Sequence, residues 1–352
     1  MSPGSVRRLP LLLLCTVLAA AVLGAGFAAG WLARGRSEPR AALPMHMIRE
    51  RDSGQWHFIN PLLECDESDD HIQRPELMSF KNRLLQLIET SRGAGEIASA
   101  SVYFRELNDG PWIGVYEHVG YLPASLLKLP MLITILKRAE RDPGFLAQRL
   151  TFAGRRDDNT LIAFRPPETL VPGRSYTVEE LSRRMMRFSD NNAAGLLGTL
   201  VAMPELNETL RGLGVLPGLV ATQGRLEIKA VSAFLRVLYN ASYLSREHSE
   251  LALEMLSQSF FREGIIAGVP GGVTVVSKYG EATVGANTLQ LHEFAIVYHE
   301  RRPYLLGVMT QGQGMPALAR FIREVSRLIY EEVDAQSRHQ AGADPPGSPG
   351  QR

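Results

Sequence analysis

Apolar positions recur at helical spacing between Pro75 and Gly93, where Leu77, Phe80, Leu84, Leu87 and Ile88 share a face and the proline suits a first turn. The period then shortens to two. Ala100, Val102 and Phe104 lie on one side of residues 99–107, which predicts a strand; Asn108-Asp-Gly110 supplies turn chemistry, and residues 112–116 predict the returning strand. The apolar run Leu129, Met131, Leu132, Ile133, Ile135 and Leu136 predicts a helix ending at Lys137-Arg138. Asp142-Pro-Gly144 breaks the chain, and an irregular stretch follows with Arg155-Arg-Asp-Asp-Asn159 and Pro166-Pro167. Thr177-Val-Glu-Glu180 is a capping box opening a helix with Leu181, Met185 and Phe188 on its apolar side. Helices are further predicted over 193–201, 205–213, 230–239 and 248–257. Residues 271–277 predict a strand, 292–299 and 304–310 a hairpin about Arg301-Arg-Pro303, and 315–333 a closing amphipathic helix through Leu318, Phe321, Ile322, Val325 and Ile329. This order implies an α+β fold: one antiparallel sheet assembled from both chain ends, with a helical subdomain inserted between its halves.

The chain ends read differently. Leu9 to Ala33 carries no charge, with Arg7-Arg8 before it and Arg34 and Arg36 after it, and a run of that length suffices to cross a bilayer. Residues 1–33 are therefore expected to be an N-terminal membrane anchor or signal sequence. The length favours an uncleaved anchor, while Gly26-Phe-Ala28 offers a cleavage site for the signal reading. Arginines on both flanks leave the orientation open. Residues 34–74, with the acidic stretch Asp66-Glu-Ser-Asp-Asp70, are expected to form a stalk, residues 75–335 the folded domain, and 336–352, Pro- and Gly-rich toward the end, a disordered tail.

Composition narrows the function classes. Hydrophobic residues make up 45% and charged residues 21%, which describes a globular chain with a sizeable core. Lys and Arg total 38 against 37 for Asp and Glu, a balance that leaves no footprint for nucleic acid. The two cysteines, Cys15 and Cys65, make no disulfide framework or metal spacing, and the eight histidines show no ligand pattern, so neither metal nor cofactor is expected.

The chemistry gathers around Ser125-Leu-Leu-Lys128 at the head of the central helix. Residues three apart stack on one face, placing a hydroxyl beside an amine at the positive end of the helix dipole. That suits a nucleophile, since the amine can take the hydroxyl proton. Two further stretches follow, Ser189-Asp190-Asn191 in an inter-helix loop and Lys278-Tyr279-Gly280 on a strand. The three motifs in this order resemble the class A β-lactamase and penicillin-binding protein superfamily, and the likeness extends over about residues 99–332. The resemblance implies a β-lactamase/transpeptidase-like fold and the following roles. Ser125 would attack an activated amide or ester carbonyl, Lys128 would assist its deprotonation, and Ser189 would relay a proton to the leaving group. Asn191 would bind the substrate amide, Lys278 a substrate carboxylate, and the backbone N–H groups of Ser125 and Glu281 the oxyanion. Asp190 is expected to hold the loop through backbone bonds.

Two departures from that pattern matter. The family's deacylating glutamate has no counterpart: residues 215–226 contain no carboxylate, Glu205 belongs to a short helix, and Glu227 stands where the next helix begins, in a capping role. Tyr279 replaces a small hydroxyl residue and Glu281 a small neutral one, altering the substrate-binding edge formed by Tyr279, Gly280 and Glu281. The expected function is therefore a membrane-anchored, extracytoplasmic serine hydrolase acting on β-lactams or D-Ala-type peptides or esters of the cell envelope, with slow deacylation. The alternative is a non-catalytic binding or scaffold module on the same anchor, its pocket repurposed.

Overall fold

The computed structural model describes residues 47–49, 56–65, 75–108, 110–216, 224–285 and 287–343. The anchor or signal expected at 1–33 lies outside these residues, as does most of 34–74. Among the described residues no helix is long and apolar enough to cross a membrane.

Two short strands, β1 (Met47–Arg49) and β2 (Leu62–Cys65), pair antiparallel ahead of the main body. Helix α1 (Pro75–Gly93) leads into β3 (Ser99–Glu106) and β4 (Trp112–Val115). A 3-10 turn over Ala124–Leu127 runs directly into α2 (Lys128–Ala139). The hairpin of β5 (Arg149–Thr151) and β6 (Ser175–Thr177) precedes the helical block α3 (Val178–Arg187), α4 (Asn191–Gly198), α5 (Met203–Gly212), α6 (Ile228–Tyr239) and α7 (Arg246–Ser257). The chain closes with β7 (Val275–Val284), β8 (Thr288–Val297), β9 (Tyr304–Gly312) and α8 (Met315–Ala343).

The main sheet has the order β4-β3-β9-β8-β7, all antiparallel, so both chain ends contribute to it as expected. Its alternation sorts side chains between two cores. Ala100, Val102, Phe104, Leu306 and Val308 pack against α1 and α8 on one face, with Phe80, Leu84, Phe321 and Ile329. Tyr103, Val276, Ile296, Leu305 and Met309 face the helical block with Leu129, Leu132, Ile133 and Leu136 of α2. Each buried Leu or Ile side chain of α2 contributes about 1.5–3 kcal/mol, so the helix that follows the serine turn is firmly seated.

Two domain boundaries differ from expectation. Residues 56–61 are not free stalk. The Glu250 carboxylate accepts from the backbone amides of His57 (2.7 Å), Phe58 (3.0 Å) and Ile59 (2.9 Å), Tyr298 donates to the Phe58 carbonyl at 2.6 Å, and Phe58 and Ile59 are buried. At the other end α8 continues through the stretch expected to be tail. The helix runs on to Ala343; Arg302 donates to Gln336 at 2.9 Å, and Ser337 is buried with its hydroxyl on the Val333 carbonyl of its own helix.

Candidate active site

Four segments meet beside the edge strand β7. Ser125 sits on the 3-10 turn ahead of α2 rather than in the α-helix proper, half-exposed, and the preceding Ala124 has φ +49°. Ser189, between α3 and α4, has φ +54°. Left-handed backbone at non-glycine residues costs about 1–3 kcal/mol, and here it falls beside Ser125 and at Ser189.

The turn is held from the sheet. Gln290 Oε1 accepts from the Leu122 amide at 3.1 Å, and His292 Nε2 lies 3.0 Å from the Leu122 carbonyl oxygen. His292 Nδ1 accepts from the Thr310 amide at 3.2 Å, which assigns the remaining proton to Nε2 as the donor to Leu122. Burial pushes the His292 pKa down to about 4, so the ring is neutral while it does this. Gly280 completes the fit: a Cβ there would stand 3.1 Å from the Leu126 amide nitrogen and 3.2 Å from the Pro123 carbonyl oxygen. Without a side chain at Gly280, β7 runs close to the serine turn with no crowding; a Cβ there would make the neighbours give by a few tenths of an ångström.

Lys128 is at the centre. Its Nζ donates to Ser125 Oγ at 3.1 Å, the Ser189 carbonyl at 2.6 Å, Ser189 Oγ at 3.3 Å and Asn191 Oδ1 at 2.6 Å. Burial lowers its pKa to about 7, against the opposing attraction of Asp190 and Glu281. Lys278 is wholly buried in mid-strand, with Nζ donating to Ser189 Oγ at 2.9 Å and to the Tyr279 carbonyl at 2.6 Å. Burial first, and then the charge of Lys128, hold its pKa well below the usual lysine range. The expected serines and lysines thus come together: Ser125, Lys128, Ser189 and Lys278 form one chain of hydrogen-bonding contacts.

The Ser189 loop is braced by its own Asp190 and, from outside the motifs, by Asn159 and Arg184. Asp190 is the N-cap of α4, accepting from the amides of Asn192 (2.9 Å) and Ala193 (3.2 Å), and also from Asn159 Nδ2 (2.9 Å) and Arg184 Nε (3.2 Å). Asn159 Oδ1 accepts from the Asn191 amide at 2.7 Å, and Asn191 Nδ2 donates to the Asp158 carbonyl at 3.1 Å. Sequence pattern did not single out Asn159, Gln290 or His292 for the site; each reaches it from a distant part of the chain.

Two expectations need correction. Tyr279 is buried rather than open at the cleft, its hydroxyl within reach of the Phe164 and Phe188 carbonyls. Alternation along β7 turns it to the face opposite Lys278, where its ring stacks on Phe261 and its hydroxyl donates to the Phe164 carbonyl at 3.2 Å. Burial pushes this phenol well above its usual pKa. Glu227 does occupy the N-cap position of α6, but its carboxylate makes no cap bond and stands 3.3 Å from His118 Nδ1 instead. Glu205 is spent elsewhere too, accepting from the Ala202 amide at 3.3 Å. Among the described residues no carboxylate hydrogen-bonds to Ser125 or Lys128; residues 217–223 lie outside them.

One buried acid lies beneath the site strand. Glu293, opposite Tyr279 in the β7–β8 register, accepts from the Ile265 amide at 2.7 Å through Oε2, while Oε1 has no partner among the described residues. Burial raises its pKa to about 7. The folded state therefore keeps a proton that the unfolded chain releases near 4.5, so this group costs stability as pH rises from about 4.5 to 7. Glu293→Gln, which keeps an acceptor for Ile265, is expected to gain on the native protein over that range, by roughly 6 °C in melting temperature at pH 8 relative to pH 5. A Tm difference independent of pH in paired thermal melts would contradict this.

The comparisons with known proteins agree with this architecture. A family model described as the beta-lactamase enzyme family matches residues 80–333, and the chain belongs to that family. Among solved structures, a variant of PBP-A in an acyl-enzyme complex with penicillin G superposes with a TM-score of 0.61 at 21% identity, covering 74% of this chain and 99% of its own. A class A beta-lactamase from Mycobacterium abscessus gives 0.60 at 21% identity, over 72% and 99%. A beta-lactamase from Xanthomonas campestris pv. campestris gives 0.61 at 21% identity, over 72% and 98%. At such identities the likeness shows the fold. No curated relative matches the sequence.

Proposed function

We propose that the protein is a serine hydrolase that forms an acyl-enzyme through Ser125 with β-lactams or D-Ala-type peptides or esters of the cell envelope, and that it releases the acyl group slowly. The observation that carries this is the position of Lys128 Nζ, 3.1 Å from Ser125 Oγ, with a pKa of about 7 that leaves much of the amine neutral. Ser125 Oγ attacks the carbonyl carbon and its proton passes to Lys128. The oxyanion is met by the backbone N–H groups of Ser125 and Glu281, the latter on an edge strand with an outward row of backbone groups. As the tetrahedral intermediate collapses, Ser189 Oγ protonates the leaving atom and is resupplied from the lysines on either side of it. PBP-A, seen as a penicillin G acyl-enzyme, offers a precedent on the same fold.

Slow release follows from the partners of Lys128, which are hydroxyls, an amide oxygen and a carbonyl. Lacking a carboxylate to activate water, the ester persists. Placement of the body outside the cytoplasm, tethered by residues 1–33, belongs to the same proposal and is checked by a C-terminal reporter fusion. Intact-protein mass spectrometry with penicillin G tests the chemistry. A stoichiometric adduct that lasts for hours and is absent from Ser125→Ala supports the reading. An adduct surviving in Ser125→Ala, or none in the native protein with either a β-lactam or an activated ester, overturns it.

A further inference from the structure

Lys128 is surrounded by more oxygens than it has hydrogens. The Ser189 carbonyl and Asn191 Oδ1 lie 2.6 Å from Nζ, Ser125 Oγ at 3.1 Å and Ser189 Oγ at 3.3 Å. A neutral amine carries two hydrogens and one lone pair. A carbonyl oxygen can only accept, and so can an amide oxygen, so the two nearest atoms take both hydrogens. The lone pair is left facing the two hydroxyls, of which Ser125 is the nearer.

Asn191 serves in this way only with its oxygen turned to the amine, and that turn is set from residues 158–159. The Asp158 carbonyl accepts from Asn191 Nδ2 at 3.1 Å, which leaves Oδ1 for Lys128. Asn159 keeps that carbonyl in place. It is buried, with both ends of its amide committed: Oδ1 accepts from the Asn191 backbone amide at 2.7 Å, and Nδ2 donates to Asp190 Oδ1 at 2.9 Å. Its own backbone amide is held by Asp157 Oδ1 at 3.0 Å, and the same oxygen accepts from Asn192 Nδ2 at 2.8 Å. Flipping either side-chain amide would set acceptor against acceptor, so one orientation of each survives.

We propose that Asn159 is a positioning residue for acylation: it fixes the Asn191 amide so that both hydrogens of neutral Lys128 are engaged and its lone pair is presented to the Ser125 hydroxyl. This rests on the acyl-enzyme reading above and adds the residue that orients its base. In the step itself the Ser125 O–H bond breaks as an N–H bond forms on Lys128, and the freed oxygen bonds to the carbonyl carbon. The third hydrogen of the resulting ammonium lies toward the hydroxyls, beside the Ser189 that protonates the leaving atom.

Acylation by p-nitrophenyl acetate tests it, followed as the burst of p-nitrophenolate released when the ester C–O bond breaks, between pH 5.5 and 9. This ester has no amide, so the binding of a substrate amide by Asn191 drops out. Asn159→Ala is expected to slow the burst about tenfold or more. It should also move the inflection near pH 7 downward, because an acceptor helps the ammonium more than the neutral amine and this one is no longer held. The charges that act on Lys128, those of Asp190, Glu281 and Lys278, are all retained in the variant. Asn191→Ala removes the acceptor outright, so adding Asn159→Ala to it should cost no more than about a further twofold. A burst within about twofold of native, a slower one with its inflection unmoved, or losses that multiply in the double variant would overturn the proposal. Should Asn159→Ala not fold, Asn159→Ser, which leaves a small polar group in the buried gap, is read against the same outcomes. No burst in the native protein, together with no penicillin G adduct on Ser125, would remove the acyl-enzyme reading itself, and this one with it.

Discussion

Lys128→Met is expected to slow acylation of Ser125 about a thousandfold. Methionine keeps the unbranched length of the side chain in a buried position but removes the amine. In the native protein that amine is the nearest group able to accept the Ser125 proton, and burial has brought its pKa down to about 7. The sign of the pH dependence follows from that value. The neutral amine is the acceptor, so acylation by the native protein should rise with pH through about 7 and fall about tenfold per unit well below it. The variant should lose this inflection along with the rate. Acylation rates measured by mass spectrometry between pH 5.5 and 9 check both statements. A variant within tenfold of native, with the inflection retained, would assign the proton to another group, Lys278 being the next candidate through Ser189.

Asp190→Ala is the largest expected effect on stability. The carboxylate is wholly buried and accepts from two amides of its own helix, from Asn159 and from Arg184. Removing it leaves the guanidinium of Arg184, itself mostly buried, with only the more exposed Glu168 carboxylate at 3.6 Å, and strips the N-cap from α4. Breaking such a pair costs about 3–5 kcal/mol, roughly a 10 °C fall in melting temperature for a domain of this size. Asp190→Asn, which keeps the cap but not the charge, should fall between. Since Asp190 and Asn159 together hold Ser189 and Asn191, the alanine variant should also acylate poorly in the fraction that remains folded. A melt within about 2 °C of native would show that the loop is held by other contacts.

Much of the architecture was legible because it rests on local period and local capping. The helix over Pro75–Gly93 has its expected limits, the Thr177 box is formed by Glu180 accepting from the Thr177 amide at 2.7 Å, and Ala100, Val102 and Phe104 do share a core. The three motifs were legible for a different reason: serine, lysine and asparagine types in a fixed order carry a family likeness that distance along the chain does not erase. Less accessible was anything decided by a partner far away in sequence. The strand carrying Lys278-Tyr279-Gly280 runs on to Val284, because ten residues of β8 pair with it. The tail expected from 336 begins as helix, running on to Ala343, with Gln336 held by Arg302 from the β8–β9 connection.

The sequence alone determined the α+β class, the three motifs and the shortage of carboxylates between residues 215 and 226, since each depends on residue type, spacing or order. The tertiary structure decided which way Tyr279 faces, that Lys278 is buried, that Gln290 and His292 hold the serine turn, and that the Glu281 carboxylate accepts from the Ala163 and Phe164 amides. The physical reason is the same for all four. The face of a strand residue and the solvation of a charge are set by what packs against them, and the partners here come from segments dozens to more than a hundred residues away.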